Sequence, residues 1–152
     1  MTVVSYVVSG FVFGMRVCFT VVGDAVAKAR ARTVRKGGRT WSFTPKRVKV
    51  WEEAVREEAG RHFVEPFNGP VALILAFYLG RPKSRRLENF VVTTPDLDNL
   101  EKAFLDGLNG VAYLDDKQVV VKSSVKRYVI GGVPRVEVTV VPLRNQVRLD
   151  SF

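Results

Sequence analysis

A chain of 152 residues, 47% of them hydrophobic, has the material for one domain with its own core, and 24 Lys and Arg against 15 Asp and Glu leave it a net charge of +9. A single cysteine, Cys18, excludes an intrachain disulfide, and one Cys with one His excludes a structural zinc site, so the composition points to a reducing, intracellular (cytoplasmic) setting. No run approaches the roughly 18 uncharged apolar residues that a membrane-spanning helix needs, and no membrane partner is expected.

The first fourteen residues are apolar and rich in Val, Tyr and Phe, without the charged start of a signal peptide, and are expected to be an extension upstream of the domain. From Met15, "MRVCFTVV" alternates Val17, Phe19 and Val21 with Arg16, Cys18 and Thr20, the period of a strand. Residues 24–49 hold nine Lys or Arg against one Asp and form a basic arm, with a turn at Gly37 and Gly38. Thr44 and Pro45 start a helix expected over about 45–62, on which Val48, Trp51, Val55 and Ala59 recur at helical spacing. Pro66, Asn68, Gly69 and Pro70 end it, and "VALILAFYL" (71–79) is a continuous apolar run that suits a buried strand. A second basic loop, "GRPKSRR", supplies Arg81, Lys83, Arg85 and Arg86.

From Leu97, the positions Leu100, Ala103, Phe104 and Leu108 define the buried stripe of a helix of about three turns, which Asn109 and Gly110 stop. Two further strand-like runs, "KQVVVKSSVKRYVI" and "VPRVEVTVV", flank Gly131 and Gly132, a hairpin signal. The expected fold is α+β: a single domain (1–152) with a mixed β-sheet, two main helices and a C-terminal β-hairpin.

Six of the fifteen carboxylates fall between Thr94 and Asp116. Helix capping by Asp98 with Glu101, i,i+4 pairs of Lys102 with Asp98 and Asp106, and a turn at Asp115 and Asp116 would account for them structurally. The other reading is chemical. Asp96 and Asp98 stand at a strand-to-helix junction, and a later strand begins at Asp115 and Asp116. Carboxylates crowded together resist full ionisation unless a divalent cation joins them. Oxygen-only ligands select Mg2+, with Mn2+ as a substitute, over zinc, and such an ion can activate water against a phosphodiester without His or Cys. Lys102 and Lys126 would offset negative charge at the scissile phosphate.

The stretch "DLDNLEKAFLDGLNGVAYLDDKQVVVKSSVKR" resembles the RusA family of Holliday junction resolvases, whose signature is D-x-D-N, a helix with Lys, then D-D-x-Q-V and a downstream Lys. "KARAR" and "GGRTWSFTPK" resemble the family's basic segment and Thr-Pro motif, with Ala31 standing where the family commonly has proline. The resemblance implies a RusA-like fold and resolution of four-way junctions by paired phosphodiester hydrolysis in recombination and repair, by a homodimer. It implies metal-binding and catalytic roles for Asp96, Asp98 and Asp116, an essential Lys102, and a supporting or metal-binding Asp115; Asn99, Gln118 and Lys126 also match. DNA contacts are expected from Lys28, Arg30, Arg32, Arg35, Lys36, Arg39 and Lys46, from Arg81, Lys83, Arg85 and Arg86, and from Lys126. Trp41 and Phe43 are candidates to wedge against bases. The alternatives are a nuclease of this kind preferring other branched DNA, a non-catalytic nucleic-acid-binding module, and a D-x-D enzyme acting on nucleotides or phosphomonoesters.

Overall fold

The computed structural model describes residues 7–8, 11–12, 15–28 and 32–144, with side chains over 15–28, 37–38 and 44–144. Two short strands, β1 (Val7–Val8) and β2 (Phe11–Val12), pair antiparallel. The main sheet consists of β3 (Val17–Val22), β6 (Val71–Leu79), β7 (Val119–Tyr128) and β8 (Arg135–Pro142) in the order β3-β8-β6-β7. Between β3 and β6, β4 (Arg32–Lys36) and β5 (Arg39–Phe43) form a separate two-stranded sheet.

Register explains the core. Strand β8 runs antiparallel to both β3 and β6, so Phe19 lies opposite Val138 and Val21 opposite Val136, while Leu73, Leu75 and Phe77 lie opposite Val140, Val138 and Val136. All of these are buried, on the one face that the helices cover. Helix α1 (Lys46–Gly60) buries Val48, Trp51, Val55 and Ala59, the stripe its spacing predicts. It begins one residue later than Pro45, whose carbonyl accepts from Val48 and Lys49. Helix α2 (Leu97–Leu108) buries Leu100, Ala103, Phe104 and Leu108 as expected, and Glu101 and Gly107 besides. Phe104 links the layers, meeting Phe77 edge-on at 6.0 Å and Trp51 at 6.3 Å. Each such large apolar side chain contributes about 1.5–3 kcal/mol by leaving water.

The α+β class, the mixed sheet, the two helices and the two consecutive C-terminal strands agree with the sequence. The two strands joined through Gly131 and Gly132, both at positive φ, do not lie side by side: β7 and β8 run in opposite directions on either side of β6, parallel and antiparallel to it. An all-apolar run such as β6 needs both backbone edges satisfied inside the protein, and taking the position between β7 and β8 does this.

The basic arm folds as a hairpin. Gly37 and Gly38 have φ of 59° and 74°, the paired left-handed conformation of a two-residue hairpin turn, and Lys36 pairs with Arg39 across it. Arg30 and Ala31 lie outside the described residues, as do the side chains of Arg32, Arg35, Lys36, Arg39, Trp41 and Phe43. No helix among the described residues is long and apolar enough to cross a membrane.

Candidate active site

The acids stand on two elements that touch. Asp96 is the N-cap of α2 and Asp98 lies in its first turn, while Asp116 opens a short 3-10 turn, Asp116–Gln118, which packs against α2. An N-cap aspartate ordinarily accepts a hydrogen bond from the helix it starts. Asp96 does not, which leaves both its carboxylate oxygens uncommitted to the helix. Asp96, Asp98 and Asp116 are all exposed, and among the described residues none of the three enters an ion pair.

Their neighbours are committed. Asp115, not Asp98, forms the capping box: its Oδ1 accepts from the Lys117 backbone N–H at 3.0 Å, and this bond holds the carboxyl below the ordinary carboxylate range. The partner in that box is Gln118, whose Oε1 accepts from the N–H groups of Leu114 (2.8 Å) and Asp115 (3.0 Å). Its Nε2 donates to the carbonyls of Phe67 (2.9 Å) and Gly69 (2.8 Å). One amide thus fastens the turn carrying Asp116 to the loop before β6. Beneath it, buried Tyr113 donates to the Leu105 carbonyl of α2, and burial, with the Asp116 charge as a lesser cause, pushes its phenol well above the usual range.

Lys126 acts on the other strap of the site. From β7 its ammonium donates to the carbonyls of Thr93 (2.7 Å) and Pro95 (2.6 Å), which fixes the segment that delivers Asp96. Glu101, one turn along α2 from Asp98, is buried and receives Lys122 of β7 at 2.5 Å, a second tie between the same two elements. Sequence reasoning misses this pair, because a carboxylate three residues after Asp98 looks like a cap and a lysine in a strand looks like a solvated face.

Lys102 is exposed and enters no ion pair among the described residues; its expected partner Asp106 is taken by Lys28. The Lys28 ammonium bonds Asp106 and lies 3.5 Å from Glu52 of α1, and its backbone N–H donates to the Asn99 carbonyl at 2.9 Å. It therefore anchors the root of the basic hairpin to α2. In the second basic loop, Arg81 donates to the carbonyls of Val129, Arg85 and Arg86, and Arg85 pairs with Glu88. Lys46, Lys83 and Arg86 stand exposed.

Among the described residues no three His, Cys, Asp or Glu side chains converge as placed into a metal-holding group. The chemistry of the donor set fits a hard divalent cation: three exposed carboxylates, oxygen donors only, none committed to an internal ion pair.

The family model for endodeoxyribonuclease RusA matches residues 23–141 of the chain, which span the arm, both helices, β6, β7 and all of β8 but Pro142. This chain belongs to the RusA endodeoxyribonuclease family. It is also 34% identical over 134 residues to the uncharacterized protein YqaN of Bacillus subtilis (strain 168), an alignment covering 80% of this chain and 93% of that protein. Membership makes this RusA-family chain an endodeoxyribonuclease of the junction-resolving kind, acting on branched DNA. Within Asp115–Gln118, Asp115 and Gln118 build the turn, and Asp116 enters no ion pair among the described residues.

Proposed function

We propose that this RusA-family protein is a Mg2+-dependent, structure-selective endonuclease that resolves four-way junctions in recombination and repair, working as a homodimer. The observation that carries the reading is the contrast within the acidic segment. Asp115, Glu101 and Asp106 are used to hold the fold together, whereas Asp96, Asp98 and Asp116, the family's signature acids, are exposed and uncommitted on two elements that pack together.

Asp96, Asp98 and Asp116 would hold the cation, Mg2+ or in its place Mn2+. When bound, it supplies activation of water for attack on phosphorus and neutralisation of the leaving oxygen. Lys102, one turn from Asp98 on α2, places an exposed ammonium where negative charge develops on the phosphate. Lys126 and Gln118 hold the two backbone segments that present the acids, and Asp115 supports Asp116. Arg32, Arg35, Lys36 and Arg39 of the hairpin, Arg30 two residues before it in the sequence, and Lys46, Lys83 and Arg86 draw in the phosphate backbone, with Lys28, Arg81 and Arg85 shaping the segments that carry them. A junction has near-twofold symmetry, so a C2 dimer brings two such sites to opposing strands.

The test is cleavage of a synthetic four-way junction, a flap and a linear duplex, with and without magnesium. Paired nicks near the branch of the junction, only with metal and not in the duplex, are the expected result. Metal-independent cutting, or equal cutting of linear duplex, would refute it. Binding has its own signature. Replacing Arg32, Arg35 and Arg39 together by glutamine is expected to flatten the dependence of log K on log salt by about 0.9 for each phosphate that the hairpin no longer neutralises. A slope equal to wild type removes the hairpin from the interface.

A further inference from the structure

The segment between the second basic loop and Asp96 carries an apolar ridge facing water. Leu87 is fully exposed, Val92 is 78% exposed and Phe90 is 52% exposed. A lone exposed Leu or Val needs no explanation, but three large apolar side chains within six residues, in a strongly basic protein, do. Its central residue is tied to the sheet. Phe90 bridges to Arg127 of β7, with Tyr128 N–H donating to Asn89 and Val91 N–H to Lys126. The Arg127 guanidinium lies over the Phe90 ring, 5.2 Å from its centroid. The next residue back along β7, Lys126, fixes the Thr93 and Pro95 carbonyls. One stretch of strand therefore positions both the Phe90 ring and the approach to Asp96.

We infer that Phe90, flanked by Leu87 and Val92, is a base-contacting element: it stacks against a base unpaired at the branch point and sets selectivity for branched over linear DNA. This rests on the functional reading above. Three features select unstacked bases as the occupant. Lys83 and Arg86, exposed on the adjoining loop, match phosphates rather than an apolar protein surface. An aromatic ring already backed by a guanidinium offers a stacking platform that tolerates any base, and only a branch leaves bases free to use it. Six residues of chain reach at most about 20 Å, so the ring lies within about six base steps of wherever Asp96 acts.

The experiment uses the full chain and a four-way junction carrying 2-aminopurine beside the branch, with binding measured in EDTA alongside a linear duplex. Wild type is expected to change the 2-aminopurine emission. Phe90→Ala and Phe90→Leu are expected to lose that change and on the order of tenfold in junction affinity, with duplex affinity retained. Phe90→Tyr is expected to keep both. Leu87→Ala, at a fully exposed position that cannot unfold the protein, is expected to show a smaller loss of the same kind. Phe90→Ala that binds the junction as wild type does, loses duplex and junction affinity equally, or dissociates a dimer in sedimentation overturns the inference while leaving the nuclease reading intact. A wild-type protein that neither binds nor cuts any branched DNA sinks both.

Discussion

Asp96→Asn, Asp98→Asn and Asp116→Asn are each expected to lower junction cleavage by at least about 100-fold while leaving junction binding unchanged or tighter. Altering a residue that merely orients a metal ligand costs 10–100-fold, so removing a ligand's charge should cost no less. The structure predicts little collateral damage. All three side chains are exposed, Asp96 makes no capping bond to lose, and asparagine is as good an N-cap as aspartate. With no metal bound, removing negative charge from the face proposed to meet phosphate cannot weaken the attraction. Asp115→Asn is the contrasting variant. Its carboxylate caps a turn, asparagine caps nearly as well, and most activity should survive. The measurement is single-turnover nicking in magnesium beside a mobility-shift titration. Full cleavage by all three variants would remove these acids from the chemistry.

Gly107→Ala is expected to destabilise the protein even though alanine is the better helix former. A Cβ at this position would sit 2.8 Å from Cβ and Cγ1 of Val55 and 2.9 Å from the Glu52 carbonyl oxygen. In a helix interior alanine outranks glycine by about 1 kcal/mol. Overpacking costs about 1–3 kcal/mol, and backbone cannot step aside as a flexible side chain would. Three contacts under 3.0 Å, one of them backbone, place the overpacking in the upper part of that range, so the expected net loss is about 1–2 kcal/mol, read as a fall in Tm of roughly 2–8 °C, with Gly107→Leu losing more. Val55→Ala should restore little, since it relieves only the clash with Cγ1. The crossing also serves the site, because Glu52 and Asp106, the two acids that meet Lys28, flank the same close approach. An unchanged Tm for Gly107→Ala would mean that α1 and α2 do not come this near to each other.

Much of the site could be named without the fold, since the D-x-D-N and D-D-x-Q elements are local in sequence. Their division of labour could not. Asp98 with Glu101 has the spacing of a capping box, yet the box forms at Asp115 and Gln118, and Glu101 turns inward to Lys122. Lys28 belongs to a run of basic residues and resembles its neighbours, but its ammonium is spent on Asp106 and Glu52. Those partners lie in two different helices far along the chain, and no periodicity reports on so distant a pairing.

By itself the sequence determined the helical stripes of α1 and α2, the alternation of β3 and β8, the turns at Gly37–Gly38 and Gly131–Gly132, and the concentration of acid in a basic chain. All are set by side-chain periodicity, backbone freedom and net charge within a few residues. Only the tertiary structure decided that β6 separates β7 from β8, that Gly107 sits where two helices nearly touch, and that Lys126 and Gln118 hold the segments bearing the free acids. Those outcomes depend on which backbone groups must find partners once water has been excluded, a condition the whole fold imposes and no single segment carries.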